Sequence, residues 1–236
     1  MTNKPPEQPA GARRWLPTLA AISCTVWVIS NIAAIKPLQI PGLRFITMDG
    51  GNLLFPISYI LGDVLVEVYG YAQARRVIWL GVLLNLFAAG TFALVSALPP
   101  ADGWHMQDAF ATILRQTPRV ALGSLIAFTC GSFLNAWVMA RMKILHRGRH
   151  LWKRTIGSTI IGEAADSLLF TTIAFLGIWP RHIVLQVILW NFLFKTAYEI
   201  AATPLTYLII NRLKRTEGSD PYDTHTSFSP LRPNAP

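Results

Sequence analysis

Six ionisable side chains lie inside long apolar runs of this sequence: Asp63, Glu67, Glu163, Asp166, Lys195 and Glu199. At the centre of a bilayer each charged group costs about 3 kcal/mol on insertion scales, so six isolated ones would cost roughly 18 kcal/mol. They must therefore face one another or a polar cavity. Their spacings within the runs are i+4, i+3 and i+4, which puts each pair on one helix face. Three helices then present polar faces at one depth, where carboxylates can accept from a polar solute and an ammonium can donate to it. Two plainer roles compete. Lys195 and Glu199 could form an ion pair within one helix, and Glu67 could be satisfied near the membrane surface by Arg75 or Arg76. Asp63 and Asp166 have no cation within helical reach, so a functional role is favoured there.

Neutral side chains extend this candidate site. Asn31, Asn85, Asn135 and Asn191 fall in four different runs. An amide offers both donor and acceptor to a neutral heterocycle, although intramembrane Asn also bonds across helices. Tyr59, Phe170, Trp190 and Phe194 are candidates to stack on a flat ring, against the plainer role of packing or facing lipid. The substrate-binding set is Tyr59, Asp63, Glu67, Asn31, Asn135, Glu163, Asp166, Trp190, Lys195 and Glu199. No catalytic group, metal or cofactor is called for.

Composition says what must position these residues. Of 236 residues, 52% are hydrophobic and 14% charged, with mean hydropathy +0.39. A soluble domain carries roughly 25% charged residues, so this chain has too little polar surface to face water. The two cysteines, Cys24 and Cys130, both sit in apolar runs and exclude a disulfide-stapled fold. A spanning helix needs about 20 apolar residues. Six runs qualify: Leu16–Ile35, Leu53–Tyr71, Val77–Leu98, Ala121–Met142, Ile156–Trp179 and Ile183–Ile210. They are continuous rather than alternating, which excludes a β-barrel. The first run lacks a small-x-small cleavage site and reads as a retained helix. The expectation is an all-α integral membrane protein of six transmembrane helices over residues 16–212, between an N-tail (1–15) and a C-tail (213–236).

Lysine and arginine set the orientation. Fifteen of the 21 fall in the N-tail, the second-to-third and fourth-to-fifth connections and the C-tail; Lys36, Arg44, Arg115, Arg119 and Arg181 lie on the opposite side, and Lys195 is within the sixth run. Both termini are thus predicted to be cytoplasmic. The net charge of +9 reflects this bias and attraction to anionic lipid, and implies no nucleic-acid partner. Between the third and fourth runs, Met106, Phe110, Ile113 and Leu114 recur at helical spacing after Trp104, predicting a short amphipathic helix on the outer surface. The tail from Thr216 is polar and proline-containing and is expected to be disordered.

The second run reads Ser58-Tyr59-Ile60-Leu61-Gly62-Asp63 and the fifth Ser158-Thr159-Ile160-Ile161-Gly162-Glu163. These are the middle helices of two halves, running oppositely through the membrane. A 3+3 inverted repeat, a plan recurrent in secondary transporters, is predicted from the match. Other chemistries lack their residues. No G-x-x-x-x-G-K-[ST] is present for ATP hydrolysis and no Gly-x-Ser-x-Gly for a serine hydrolase. Gly62-Asp63 is shared with intramembrane aspartyl proteases, but Ile60 stands where those enzymes place Gly. His146 and His150 lie beside Arg147 and Arg149, which repel a metal cation.

Leu61-Gly62-Asp63-Val64-Leu65-Val66-Glu67-Val68-Tyr69-Gly70-Tyr71, followed by Ala74-Arg75-Arg76-Val77-Ile78-Trp79, closely resembles the second-helix signature of the queuosine precursor transporter family, also called vitamin uptake transporters. Gly162-Glu163-Ala164-Ala165-Asp166-Ser167, Lys195-Thr196-Ala197-Tyr198-Glu199 and Thr203-Pro204-Leu205 match it too, as does the segment from Trp104 to Pro118-Arg119. The resemblance covers about residues 16–212. It implies import of 7-deazaguanine precursors of the tRNA base queuosine (7-cyano-7-deazaguanine or 7-aminomethyl-7-deazaguanine) across the bacterial inner membrane. That family also resembles the substrate-binding components of energy-coupling-factor importers, which use separate ATPase subunits. Here the first helix lacks Ala-x-x-x-Ala (Ala20 leads to Cys24 and Ala21 to Thr25), which puts a separate ATPase module in doubt. A homodimer is left open.

The leading expectation is therefore a secondary transporter, with a binding subunit of an ATP-driven importer as its alternative. An intramembrane enzyme or assembly factor is the reading from another class.

Overall fold

The computed structural model describes residues 13–40, 43–114, 118–178, 180–224 and 226–231. Seven α-helices follow in order: α1 (Leu16–Ala33), α2 (Phe55–Tyr69), α3 (Tyr71–Ala97), α4 (Gln107–Leu114), α5 (Pro118–Leu145), α6 (Leu151–Phe175) and α7 (Arg181–Glu217). The six long ones coincide with the six apolar runs, and α4 with the amphipathic segment. Four stretches are long and apolar enough to cross a membrane, those carrying α1, α3, α5 and α7. At 1.5 Å per residue α2 reaches only about 22 Å, short of a hydrocarbon core of about 30 Å. α6 is long enough, but Glu163, Asp166 and its many hydroxyl residues dilute its apolar character.

Burial is inverted relative to a water-soluble domain. Leu83, Phe87 and Leu94 on α3 and Leu185, Leu189 and Leu193 on α7 are exposed, while Asp63, Glu67, Lys143, Arg154, Thr159 and Glu163 are buried. An apolar coat around a polar interior suits lipid outside and a functional interior. The chain is a multi-pass membrane protein.

The fold is overwhelmingly helical, as expected, with one short exception: β1 (Pro37–Ile40) and β2 (Leu43–Asp49) pair antiparallel between α1 and α2, and a 3-10 turn (Gly50–Leu53) leads into α2. Backbone groups too irregular for a helix there are satisfied by pairing instead. In the C-terminal segment, where disorder was expected, residues of 219–224 and 226–230 are held down, because helix ends nearby leave donors that the tail can accept from. The Asp223 carboxylate accepts the Tyr71 N–H at 3.0 Å, capping α3. Arg75 donates to the carbonyls of Ser227 and Ser229, and Trp79 Nε1 to that of Pro230. Most of the N-tail lies outside the described residues.

Close approaches fix the helix pairs. Gly70 alone joins α2 to α3, at φ +83°, a left-handed conformation that favours glycine. Arg75 and Arg76, read as a connecting loop, therefore sit in the opening turns of α3. Gly131 and Gly162 let α5 and α6 touch: a Cβ on Gly162 would stand 2.9 Å from the Gly131 carbonyl oxygen. At Gly81 a Cβ would meet the Trp27 ring of α1 at 2.4 Å. Gly81→Ala should therefore destabilise by about 1–3 kcal/mol, and Trp27→Leu in the same chain should recover part of it. Thermal unfolding in detergent measures both.

Candidate functional site

The bundle has two ends. One carries the start of α1, the α2–α3 corner, the α5–α6 connection and the end of α7; the other carries the hairpin, α4 and the α6–α7 turn. Glu217 ties the first end together, accepting the backbone N–H groups of Arg14 and Trp15 and the Tyr69 hydroxyl.

A cavity of about 140 Å³ opens within the hairpin half. It draws on six helices: α3 adds only the apolar Ala74 and Ile78, while α1, α2, α5, α6 and α7 each turn polar or aromatic side chains inward. α1 gives Trp27, Ser30 and Asn31; α2 gives Tyr59 and Gly62; α5 gives Phe128, Ser132 and Asn135; α6 gives Asp166, Ser167 and Phe170; α7 gives Asn191 and Lys195. Gly62 keeps the wall open, since an added Cβ would meet nothing within 4 Å.

Charge in the cavity is organised by Lys195. Its ammonium lies 2.8 Å from Asp166 Oδ2 and 3.0 Å from Glu163 Oε2, both across the α6–α7 seam. The partners are thus not Glu199, one turn along α7, as the intrahelical pair would have it. Asp166 stays one-fifth exposed to the cavity while Glu163 is buried behind it. Asn31 donates to Asn85 and accepts from the Ser124 hydroxyl, which fixes its amide at the cavity rim.

Asp63 and Glu199 lie one layer deeper, fully and almost fully buried. None of their four carboxylate oxygens has a hydrogen-bond partner among the described residues. Glu199, Glu67 and Arg154 act electrostatically on Asp63, so these groups are neighbours. A carboxyl group buried without donors is compensated by a proton or by donors arriving with a ligand.

Glu67 belongs to a different cluster. Its Oε1 lies 2.7 Å from Arg154, 2.5 Å from Lys214 and 3.4 Å from Lys143, and neither Arg75 nor Arg76 is its counter-ion. Asp220 of the C-terminal segment bonds Lys143 at 2.6 Å and Lys214 at 2.7 Å. Burial works against the Asp220 carboxylate, but these two bonds outweigh it and hold its pKa below the ordinary value. Trp190 is 40% exposed on the outside of α7 and does not line the cavity.

Of the expected residues, the cavity lining unites Tyr59, Asn31, Asn135, Asp166 and Lys195; Glu163 backs it; Asp63 and Glu199 lie below; Glu67 and Trp190 fall elsewhere. Trp27, Phe128, Ser132 and Ser167 line it but were missed. A small or aromatic residue in an apolar run carries no signal until its helix face is known.

Residues 49–209 match the model of a family described as "Putative vitamin uptake transporter". The chain belongs to this family. The match spans α2 through nearly all of α7, hence most of the cavity lining. A Bacillus subtilis (strain 168) protein named "Probable queuosine precursor transporter" is 34% identical over 193 residues, covering 81% of this chain and 83% of that one. The Escherichia coli (strain K12) "Queuosine precursor transporter" is 28% identical over 146 residues, 62% of each chain. No solved structure matches. As a member of the family the protein is a transporter and not an enzyme.

Proposed function

We propose that the protein imports a queuosine precursor, a 7-deazaguanine, and that the cavity between α1, α2, α5, α6 and α7 is where it binds. The observation that carries this is the Lys195–Asp166 pair opening onto a cavity walled by Trp27, Phe128 and Phe170. A 7-deazaguanine presents an N1–H and an exocyclic amine side by side, which one carboxylate accepts together. Its carbonyl oxygen needs a donor, and Lys195, Asn135 and Asn191 are at hand. Aromatic walls suit its flat faces. The names of the relatives support the substrate class.

In this reading all six long helices lie in the bacterial inner membrane with both termini cytoplasmic, as the lysine and arginine bias directs, and the halves form an inverted repeat. A reporter fused after Arg215 should be active only as a cytoplasmic fusion; periplasmic activity would reverse the orientation. Transport is secondary, with Asp63 or Glu199 free to carry a coupling proton. The test is uptake of labelled 7-cyano-7-deazaguanine by the purified protein in liposomes, with and without a proton gradient and with no other subunit. Uptake should be saturable, and Asp63→Asn should lose its response to the gradient while folding normally. Uptake that requires an added ATPase would favour the importer-subunit alternative.

A further inference from the structure

We propose that the ion cluster around Glu67 is the inner gate of the transport route, and that the buried polar stripe between it and the cavity is the closed part of that route. The proposal rests on reading the cavity as the transport site.

Three helices carry the same succession. On α2, Gly62 at the cavity is followed by Asp63 and then by Glu67 in the cluster. On α6, Asp166 at the cavity is followed inward by Glu163 and Thr159 and then by Arg154. On α7, Lys195 is followed by Glu199 and then by Lys214. From Asp166, the innermost lining residue on α6, to Arg154 the helix rises about 18 Å, so on this helix the stripe runs well past the cavity, whereas on α2 the lining continues to Val66, next to Glu67.

The middle layer is polar yet unsatisfied. Both carboxylate oxygens of Asp63 and of Glu199 and the Thr159 hydroxyl lack hydrogen-bond partners among the described residues, although all three side chains are buried. Structural polar groups in a membrane interior are paired. Groups left unpaired along one line are what a route leaves when its water has been squeezed out. The cluster beyond them is paired instead: Glu67 holds Arg154, Lys143 and Lys214 from three different helices. Separating α6 or α7 from α2 must break these bonds, so the cluster holds the inner half shut.

The C-terminal segment reinforces the closure. Asp220 bridges Lys143 on α5 and Lys214 on α7 and is half exposed. It can be altered without stripping Glu67 of its cations.

The test reads access without substrate. Thr159→Cys is placed in a Cys24→Ala, Cys130→Ala background and challenged with a membrane-impermeant thiol reagent in inside-out and right-side-out vesicles. With the cluster intact the thiol should be nearly unreactive from the cytoplasmic face. Asp220→Asn, or Lys214→Gln, should raise its labelling from that face by about tenfold or more, since each removes two charge-assisted contacts and the loss of even one shifts a two-state equilibrium by about tenfold. Asp220→Glu should keep it protected. Unchanged labelling in both neutral variants, with melting temperatures near that of the parent, overturns the gate. Equal labelling before and after substitution from either face does the same. Because labelling needs no substrate, a failure of 7-cyano-7-deazaguanine uptake would remove the substrate reading and leave this result standing.

Discussion

Lys195→Met should abolish uptake and also weaken the fold, by about 3–5 kcal/mol. The ammonium is the cation that both Glu163 and Asp166 face, at 3.0 and 2.8 Å. Removing it leaves two carboxylates uncompensated, one of them fully buried. The fold and the function can then be separated by a second change. Adding Glu163→Gln and Asp166→Asn to Lys195→Met removes the orphaned charges, and replacing a buried ion cluster by neutral groups of similar shape is often harmless to stability. The triple variant should regain most of the melting temperature and none of the uptake. Lys195→Met with Glu199→Gln should not recover stability, because Glu199 is not the partner. Full uptake by Lys195→Met would remove this residue from the mechanism.

Glu67→Ala should be the most destabilising single change in the terminal half of the bundle. One carboxylate answers three cations, and Arg154 and Lys143 are both buried. Truncating the anion of a buried pair costs about 3–5 kcal/mol because the remaining charge is left unpaired. Glu67→Gln keeps an acceptor and should lose less. The order Ala below Gln below the unaltered protein, read from thermal unfolding in detergent, is the expected result. Equal stability of all three would show that the three cations do not depend on the Glu67 carboxylate.

Much of this architecture was legible in the sequence because lipid imposes a simple demand. A run of about 20 apolar residues has few alternatives to a helix, and the six runs became the six long helices. The acidic residues inside them were conspicuous for the same reason. Pairing was not legible. Spacing along one helix suggested Lys195 with Glu199, whereas Lys195 reaches α6, and Glu67 finds cations 76, 87 and 147 residues away. Such partners are set by how helices pack, which local pattern does not encode. The position of Trp190 outside the cavity lining was hidden for a related reason, since one aromatic among many does not reveal which face turns inward. The hairpin did have a signal in two short runs that include β-branched and aromatic residues. The tail had one too, because Asp220, Tyr222, Asp223 and Phe228 are the residue types that can cap, pair and stack on a cationic end.

The Lys195 contacts also bear on how the chain is made. Glu163 and Asp166 leave the ribosome 29 or more residues before the cation that neutralises them. At about 5–20 residues per second, α6 waits seconds with two acidic groups that oppose its release into lipid at about 3 kcal/mol each. The two helices are therefore expected to partition as a pair, with the salt bridge formed before either meets the bilayer. Chains that stop short of Lys195 should leave α6 stranded at the channel, where membrane proteases find it.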